Sequence, residues 1–395
     1  MNQLSNINVL CGELPKNIKP LVPFSPIILD FLSDLSQSLL KHPLAKQYPD
    51  IITFAYFIRP ANLHPYALLF KSKENCIGKG LVFHIAPSNV AMNFAYSLVT
   101  ALLSGNHSIV KAPSKKFIQV DILCESIKHL LKDKYNTLNN YIFIVTYDRI
   151  ETKNTKYFSE ICDVRIIWGG DTSVSEIRKH PLSPRAIDIP FSDRYSLSII
   201  DASYILTLDQ NELYKMAKSF YNDTFLNDQN ACSSPRLIYW LDTNNYSNDA
   251  RKLFWEAVKK YAEKYYDLQP VVNVDKYNSA LSLAIENNNI EIDDIGLITR
   301  IELKELSSNI QKVTQPGGFF LEYIDNNLQA LSSIINKKTQ TITYLGIQPK
   351  DISDFIINNS LQGVDRIVPF GQSMAFSFRW DGFDLLNLLS REINY

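Results

Sequence analysis

The stretch that decides the fold runs from residue 80 to residue 114 and reads GLVFHIAPSNVAMNFAYSLVTALLSGNHSIVKAPS. Its apolar start, residues 80–85, is typical of a strand buried inside a sheet. A helical pattern follows from about residue 91 to residue 104, and Gly105 ends it as a left-handed cap would. Residues 108–111 then predict a second strand. A strand, a helix and a strand in this order favour a parallel sheet covered on both faces.

The same alternation continues on both sides of this stretch. Ser25-Pro26 marks the start of an earlier helix, with proline at its first helical position. At about 100–200 residues per domain, 395 residues allow two or three domains. We place a boundary near residue 200, where a strand ends in Asp201 and a polar stretch follows. Further strands are predicted at 141–146, 164–168, 197–200 and 236–241, and further helices at 117–131, 212–220 and 249–265.

Composition and charge exclude several classes of function. The 40 basic and 41 acidic residues give a formal net charge of -1. This balance lacks the excess of positive charge that is typical of proteins that bind nucleic acid or an anionic membrane. Apolar residues make up 46% and charged residues 21%, as in an ordinary globular protein. The first residues, MNQLSNINVL, lack a basic segment followed by an apolar run, so we expect no secretory signal. The apolar run at 51–58 is too short to span a bilayer.

Cysteine spacing predicts neither a disulfide framework nor a zinc site. The cysteines are odd in number and widely scattered, and none of them forms a CxxC pair. We therefore expect a cytoplasmic protein without a metal site, in which each thiol is either a buried small hydrophobe or a reactive group. The five cysteines are Cys11, Cys76, Cys124, Cys162 and Cys232.

Glycine marks one candidate ligand site, because a chain with only 13 glycines keeps them mainly where backbone geometry requires them. Gly169 and Gly170 follow a predicted buried strand and precede a helical stretch that begins near Thr172. In α/β sheets ligands bind at the carboxyl ends of strands, and helix N-termini there favour phosphate. A phosphate site and an ordinary tight turn are both compatible with this pair of glycines.

Cys232 differs from the other cysteines in its surroundings, residues 230–235 (NACSSP). A lone cysteine is usually a buried inert thiol, and Cys124 within a helix pattern and Cys162 before a strand fit that interpretation. The small polar residues around Cys232 instead predict a loop in which a thiolate is exposed and hydrogen-bonded. Cys232 is therefore the candidate nucleophile.

The loop after the first quoted strand, residues 86–89 (APSN), offers a second candidate group. An amide at the end of a strand, here that of Asn89, can donate a hydrogen bond to a developing oxyanion. Taken alone, Asn89 is better explained as a helix cap.

Taken in order, these segments resemble the aldehyde dehydrogenase superfamily. Residues 87–90 (PSNV) are similar to its Pro-Trp-Asn-Phe segment, which carries the oxyanion asparagine, and residues 230–232 (NAC) to the segment that holds its nucleophile. Residues 104–106 (SGN) and 110–114 (VKAPS) resemble the segment that binds the adenosine ribose. Residues 168–170 (WGG) resemble the turn beneath the cofactor pyrophosphate.

One branch, the fatty-acyl reductases of bacterial bioluminescence systems (LuxC), is more similar still. The stretches that resemble it run in the same order from His84 to Arg391, and they are HIAPSNV, LLSGNHSIVKAPSK, WGGD, DRYS, DQNACSSP, DRIVPFG and WDGFD…LSR. That branch converts an activated long-chain acyl group to a fatty aldehyde with NADPH.

The resemblance implies an aldehyde dehydrogenase-like α/β fold, with a Rossmann-like parallel-sheet cofactor domain and an α/β catalytic domain. It implies an NADP(H)-binding domain at residues 1–200 and a catalytic thiol domain at 201–372. A C-terminal segment, 373–395, would return to the cofactor domain or form an oligomer interface. The expected substrate is an acyl-CoA or acyl-protein thioester, the expected cofactor is NADPH (NADP), and the protein would be a homo-oligomer with an acyl-protein synthetase as a partner.

Carried over residue by residue, the resemblance assigns catalytic roles to Cys232 and Asn89. Cys232 would attack the thioester carbonyl, and the oxyanion would be held by the Asn89 side chain and the Cys232 backbone N–H. The cofactor would bind at Lys111, Ser114, Lys115, Gly169 and Gly170.

Departures from the wider superfamily qualify these expectations. The segment whose glutamate activates water in hydrolytic relatives aligns with residues 191–194 (FSDR), so that base is missing and an acyl-cysteine would be reduced or exchanged. Lys115 aligns near the position at which NAD-using relatives carry a glutamate that binds the ribose hydroxyls. A lysine at this position favours binding of a 2′-phosphate. The alternative is that Lys115 is an ordinary surface lysine. Asp171 follows the glycine turn, and its carboxylate is unfavourable to a phosphate bound there. In a separate segment, Glu322 could align with the second conserved carboxylate of the superfamily.

Two other functions stay open at this point. A conventional aldehyde dehydrogenase that oxidises aldehyde to acid would need a water-activating carboxylate. A non-catalytic relative that serves as a binding subunit would keep the fold and lose the Cys232 and Asn89 pair, and both residues are present. The acyl chain length and the physiological donor do not follow from the sequence.

Overall fold

The computed structural model describes residue 4 and residues 6–71, 75–88, 90–286, 290–294 and 296–394. The chain divides into two compact units, one formed by Met1–Ser192 together with Phe383–Tyr395 and the other by Asp193–Gly382. Each unit contains its own large sheet.

The first unit alternates strands and helices as its sequence predicts. Its strands include β1 (Asn8–Gly12), β2 (Cys76–Gly78), β3 (Leu81–Ile85), β4 (His107–Lys111), β5 (Ile142–Thr146), β6 (Val164–Trp168) and β7 (Ile187–Phe191). Its helices include α1 (Pro26–Lys41), α2 (Pro49–Phe57), α3 (Pro60–Lys71), α4 (Asn93–Leu103), α5 (Ile118–Lys132), α6 (Thr152–Ile161) and α7 (Asp171–Arg178).

The sheet of the first unit has the strand order β1-β5-β4-β3-β6-β7. Strand β1 is antiparallel to β5, and the remaining neighbours are parallel. From β3 the chain moves outward through β4 and β5 on one side and later through β6 and β7 on the other. The direction of winding therefore reverses between β3 and β6, which is where doubly wound sheets open a crevice for ligands at their carboxyl edge.

The Ser104-Gly105-Asn106 turn shows how the end of α4 is fixed. Gly105 has a positive φ of 83°, and a Cβ at this position would lie 2.0 Å from the carbonyl oxygen of Leu21. The Asn106 side chain is buried, accepts a hydrogen bond from the Gly80 N–H at 2.9 Å and donates one to the Leu389 carbonyl at 2.8 Å. In this structure the motif is a helix end and a packing centre.

The second unit is also an α/β unit. Its strands include β8 (Tyr195–Asp201), β9 (Pro235–Leu241), β10 (Ile290–Asp294), β11 (Thr299–Leu303), β12 (Phe319–Asp325), β13 (Thr339–Leu345), β14 (Arg366–Pro369) and β15 (Arg379–Trp380). Its helices include α8 (Ala202–Ile205), α9 (Gln210–Thr224), α10 (Ser247–Tyr265), α11 (Pro270–Glu286) and α12 (Pro349–Asn358). After it, the chain returns to the first unit with β16 (Phe383–Asp384), α13 (Leu385–Leu388) and β17 (Ser390–Glu392).

The sheet of the second unit has the order β10-β11-β12-β9-β8-β13-β14. Strand β10 is antiparallel to β11, and the other neighbours are parallel. Apolar clusters cover both faces, one around Phe220, Trp240 and Phe254 and the other around Leu197, Tyr239 and Ile342.

Strand pairing decides where the units divide. The sequence placed a boundary near residue 200, but β8 pairs with β9 and β13, so the division falls between Ser192 and Asp193. The C-terminal return starts at Phe383 where the sequence placed its start at residue 373, and β17 pairs with β2 of the first unit. Among the described residues, no helix is long and apolar enough to cross a membrane.

Candidate functional site

The residues predicted to bind the cofactor lie along the carboxyl edge of the first sheet. Lys111 ends β4, with Ser114 and Lys115 directly after it, and Gly169-Gly170 follows β6. Strand β3 lies between β4 and β6 in the sheet. Because the carboxyl ends of parallel strands meet at one edge, the fold brings these positions to the two sides of the carboxyl end of β3.

The turn after β6 leads directly into a helix N-terminus. The Gly169 N–H donates to the Phe191 carbonyl at 3.1 Å, and Gly170 is the N-cap residue of α7. Gly170 has no side chain with which to cap the helix, which leaves this N-terminus suited to an anion. Asp171 occupies the first turn and is exposed, so its carboxylate competes with an anion for the same partial charge.

The two predicted lysines differ in their surroundings. The Lys111 Nζ lies 4.4 Å from the centroid of the Tyr147 ring, and burial lowers the pKa of its ammonium while the Asp148 carboxylate opposes this. Lys115 is exposed, with its Nζ 5.4 Å from the Phe117 ring centroid. Of the two, Lys115 is therefore the one whose charge is presented to solvent.

Sequence reasoning did not find a set of buried polar contacts that joins β3, α4 and β6. The Trp168 Nε1–H donates to the Ser97 Oγ at 3.2 Å, and the same Oγ lies 2.8 Å from the His84 Nδ1. Burial lowers the pKa of His84 to about 3, so this imidazole is neutral at physiological pH. The Trp168 ring also stacks on Phe191 at 3.8 Å. These contacts join β3, α4, β6 and β7.

Asn89, the predicted oxyanion donor, lies outside the described residues. Its neighbours Ser88 and Val90 are exposed in the loop that follows β3. The helix that follows, α4, begins at Asn93 with Met92 as its N-cap residue, so the helix-capping alternative for Asn89 is wrong. The oxyanion role of Asn89 stays a prediction.

Cys232 is exposed, and the other four cysteines are buried, as the sequence predicted. Burial raises the pKa of the Cys11 and Cys162 thiols to about 12 and also raises that of Cys124. Cys232 lies in the loop of residues 228–234 that connects the end of α9 to β9. Among the cysteines it alone combines solvent access with a polar loop.

The Cys232 loop, residues 228–234, is held from beneath by the side chain of Gln229. Gln229 is buried and has a left-handed φ of 60°. Its amide donates to the carbonyls of Pro235 at 3.1 Å and Phe319 at 3.0 Å. Its oxygen accepts the N–H groups of Gly318 and Phe319, each at 3.0 Å. One side chain thus joins the loop to the starts of β9 and β12.

Two further side chains fix the loop. The buried Arg236 donates to the Gln229 carbonyl at 2.9 Å and to the Gln315 carbonyl at 3.0 Å. Ser196, on β8, donates to the Cys232 carbonyl at 2.6 Å, and its Oγ accepts the Thr341 N–H at 3.2 Å. Ser196 of β8 therefore contacts the Cys232 backbone directly, and residues at the starts of β9 and β12 hold the rest of the loop through Gln229.

The electrostatic surroundings of Cys232 favour the thiol over the thiolate. Protein atoms restrict hydration of the sulfur even though part of the side chain is exposed, and this burial raises the pKa of the thiol. The backbone N–H of Arg194 and the charge of Arg236 act in the opposite direction, while Asp193 and Asp381 reinforce the rise. The neutral thiol is therefore the favoured form of Cys232 at neutral pH.

The Glu322 carboxylate is enclosed by hydrogen-bond donors from β9 and α10. It is fully buried and accepts hydrogen bonds from the Nε1–H groups of Trp240 at 2.7 Å and Trp255 at 2.8 Å. Arg251 adds a bidentate contact, with its Nη2 at 2.9 Å. These partners occupy the carboxylate, so Glu322 stabilises β12 against β9 and α10.

Comparison with known proteins identifies the family to which the sequence is similar. A family model described as "Acyl-CoA reductase (LuxC)" matches residues 59–392. A long-chain acyl-protein thioester reductase of Photorhabdus luminescens is 24% identical over 311 residues, which cover 75% of this chain and 59% of that protein. One of Aliivibrio fischeri is 27% identical over 193 residues, 49% of this chain and 37% of that protein. The chain thus spans well under two thirds of these curated relatives.

Solved structures confirm the predicted fold class. Aldehyde dehydrogenase 21 of Physcomitrella patens, in complex with succinate, has a TM-score of 0.64 at 14% identity and covers 92% of this chain and 83% of its own. An NADP-dependent glyceraldehyde-3-phosphate dehydrogenase of Bacillus halodurans C-125, complexed with NADP, has a TM-score of 0.59 at 14% identity, with 93% and 86% covered. The fold is that of the aldehyde dehydrogenases.

Proposed function

The chain belongs to the acyl-CoA reductase (LuxC) family, and from this membership together with the site geometry we propose that it reduces a long-chain acyl thioester to the fatty aldehyde. The observation that carries the proposal is the exposed Cys232 on a loop fixed by Gln229, Arg236 and Ser196. A nucleophile for acyl transfer needs both access and a defined position.

In the proposed reaction, the Cys232 sulfur attacks the carbonyl carbon of an acyl-CoA or acyl-protein donor. The donor thiol leaves, and the acyl group remains on Cys232 as a thioester. The developing oxyanion would accept hydrogen bonds from the Asn89 amide and the Cys232 backbone N–H. The relatives of Photorhabdus luminescens and Aliivibrio fischeri are named for acyl-protein substrates, which supports a protein-bound donor and a partner that charges it.

The residues at the carboxyl edge of the first sheet fit a phosphate-bearing dinucleotide. The side-chain-free turn at Gly169-Gly170 and the uncapped N-terminus of α7 would hold the pyrophosphate. Ser114, Lys111 and Lys115, which follow or end β4, would hold the ribose end, with the exposed Lys115 facing a 2′-phosphate. When bound, NADPH would supply the hydride that converts the acyl-cysteine to the aldehyde.

Release of the aldehyde returns Cys232 as a thiolate, which then regains a proton. Because the pKa of Cys232 is raised, the thiol is the resting form at neutral pH. The expected fate of the acyl-enzyme is therefore reduction or exchange with a thiol, since the water-activating glutamate of hydrolytic relatives is absent from residues 191–194.

The test is to trap the acyl-enzyme and then to discharge it. We expect labelled palmitoyl-CoA, without cofactor, to leave a hydroxylamine-sensitive label on the wild-type protein, and NADPH to release that label as aldehyde. Cys232→Ala removes the nucleophile and should lower turnover by more than about 10⁴-fold. Cys124→Ala, which changes a buried thiol, serves as the matched control and should keep the label.

Two outcomes would contradict the proposal. A thioester label that persists in Cys232→Ala would move the nucleophile to another cysteine. Release of fatty acid in place of aldehyde, with NADP reduced when aldehyde is supplied, would identify a conventional aldehyde dehydrogenase.

A further inference from the structure

Cys232 is the second residue of a tight turn formed by residues 231–234. The Ser234 N–H donates to the Ala231 carbonyl at 3.0 Å, and this hydrogen bond closes the turn. The peptide bonds of the turn are trans, and neither Cys232 nor Ser233 has a positive φ. Turns of types II, I′ and II′ each need a positive φ at a central residue, so this hydrogen-bonded turn is of type I.

The turn type sets the direction of two backbone N–H groups, those of Cys232 and Ser233. Both central residues of a type I turn have helix-like dihedral angles, and successive N–H groups in such a backbone point the same way, as in the first turn of a helix. The Cα–Cβ bond of a helix-like residue leans toward that same end, so the Cys232 side chain lies beside these N–H groups. In the part of the chain that the structure describes, neither N–H has a hydrogen-bond partner.

Ser196 holds the other side of the peptide that joins Cys232 to Ser233. Its buried hydroxyl donates to the Cys232 carbonyl at 2.6 Å, and its Oγ accepts the Thr341 N–H at 3.2 Å. In a trans peptide the C=O and the N–H point in opposite directions, so this contact directs the Ser233 N–H away from Ser196. If the peptide turned over, the turn would become type II and Ser233 would need a positive φ, which is unfavourable for a residue with a Cβ.

The same peptide is also held through the side chain of Ser233. The Ser233 side chain is buried, and its hydroxyl donates to the Met374 Sδ at 3.3 Å. Hydrogen bonds that share a peptide polarise one another, so the bond that the Cys232 carbonyl accepts from Ser196 makes the Ser233 N–H a stronger donor. The turn therefore carries two parallel N–H groups beside the sulfur, and the second of them is fixed and polarised from behind.

We propose that Ser196 is a positioning residue of the oxyanion site and that the Ser233 N–H, which it orients, joins the Cys232 N–H as a donor to the oxyanion. The carbonyl electron pair moves to oxygen as the Cys232 sulfur adds to the thioester, and it returns to carbon as the donor thiolate leaves. The two N–H groups donate hydrogen bonds to that oxygen and transfer no proton. The proposal rests on the proposed function, since it assigns roles within that reaction.

The test compares two reactions of the same sulfur in Ser196→Ala. Acylation by palmitoyl-CoA passes through an oxyanion, whereas alkylation by iodoacetamide does not. We expect the variant to slow acylation by about 10–100-fold, part of the cost of one lost donor, and to change alkylation by less than about twofold. Mass spectrometry without cofactor measures both rates. Ser196→Thr keeps the hydroxyl and should restore most of the acylation rate.

A spectroscopic measurement reports on the Ser233 N–H itself. In the acyl-enzyme made with palmitoyl-CoA that carries ¹³C in its carbonyl group, the infrared band of that carbonyl moves to higher frequency when it loses a hydrogen bond, and we expect this shift in Ser196→Ala. Ser198→Ala is the matched control. Ser198 is also a buried serine of β8, and its Oγ lies 2.5 Å from the Thr343 Oγ1. This variant should keep the wild-type acylation rate and band position.

Three results would overturn the proposal. Equal slowing of acylation and alkylation in Ser196→Ala would show that Ser196 only maintains the fold of the loop. A wild-type acylation rate in this variant would remove Ser196 from the oxyanion site. Slower acylation with an unshifted carbonyl band would show that the Ser233 N–H does not reach the oxygen. Failure of the proposed function is distinct, because wild-type protein would then form no acyl-Cys232.

Discussion

The two units carry their candidate site residues at different edges of their sheets, the carboxyl edge in the first unit and the amino edge in the second. In the first unit, the predicted cofactor residues follow β4 and β6 at the carboxyl edge, next to the N-terminus of α7. In the second unit, Cys232 precedes β9, and its loop contacts the starts of β8, β12 and β13 at the amino edge.

The direction of the helix dipoles explains why the two edges offer different groups to a negatively charged partner. At a carboxyl edge, helix N-termini provide a positive partial charge, so a glycine turn and backbone N–H groups are enough to attract an anion. The chain enters the Cys232 loop from the C-terminal end of α9, which does not favour a thiolate. At the amino edge, the side chains of Gln229 and Arg236 hold the Cys232 loop in place. The pKa of the Cys232 thiol is nevertheless raised.

The largest expected effect tests whether both edges serve one reaction. If the Asn89 amide, in the loop after β3 of the first unit, donates to the oxyanion at Cys232, Asn89→Ala should lower turnover by about 10²–10³-fold with little change in NADPH affinity. Steady-state rates and cofactor titration measure the two quantities. Near-normal turnover in Asn89→Ala would remove Asn89 from the oxyanion site.

The second effect tests the dependence of the amino edge on side chains. Gln229→Leu removes four buried hydrogen bonds and leaves their backbone partners unpaired, so we expect a loss of about 2–4 kcal/mol in the free energy of unfolding. Urea unfolding measures it. Gln329→Leu, the same change at an exposed glutamine of this unit, should alter stability by less than about 0.5 kcal/mol. Equal effects in both variants would show that the Gln229 amide does not anchor the loop.

The third effect tests charge at the carboxyl edge. Lys115→Glu should weaken NADPH binding by about 10- to 150-fold, the loss of one charge-assisted contact, and spare or improve NADH binding. Fluorescence titration with each cofactor measures the change. Lys116→Glu, at the exposed neighbouring lysine, is the control and should leave the preference for NADPH intact. An equal loss for both cofactors in Lys115→Glu would remove Lys115 from the 2′-phosphate site.

The smallest effect concerns the protonation of Cys232. Because its pKa is raised, the neutral thiol predominates at neutral pH, and the rate of alkylation should rise about tenfold per pH unit from pH 7 to pH 9 without a plateau. Asp193→Asn removes an exposed opposing charge and should raise the rate at pH 8 by less than about threefold. An alkylation rate that stops rising near pH 7 would show that Cys232 is already a thiolate at neutral pH. The amino edge would then stabilise a negative charge, as the carboxyl edge is expected to do.

Much of the architecture was predictable from local patterns. The apolar strand at 80–85, the helix after it and the Gly105 cap correspond to β3, α4 and a left-handed turn. Cys232 stood out because small polar residues surround it, and it is the exposed cysteine. The family motifs were recognisable because they are short runs of adjacent residues.

Contacts between distant parts of the chain were not predictable in this way. The division between the units lies at Ser192 and Asp193 because β8 pairs with β13, whose sequence is more than a hundred residues away. Sequence reasoning also missed the Trp168–Ser97–His84 line and the anchoring of the Cys232 loop by Gln229.

The sequence by itself determined the parallel α/β class and the aldehyde dehydrogenase-like fold, and it singled out Cys232 as the candidate nucleophile. Hydrophobic periodicity, turn residues and motifs are properties of residues that are close in sequence, so they can be recognised without the structure. Only the tertiary structure decided what surrounds that cysteine. The protonation of Cys232 depends on Arg236, Asp193 and Asp381, and the position of Asp381 depends on Gln340. Burial and charge act through space, and folding alone brings such residues together.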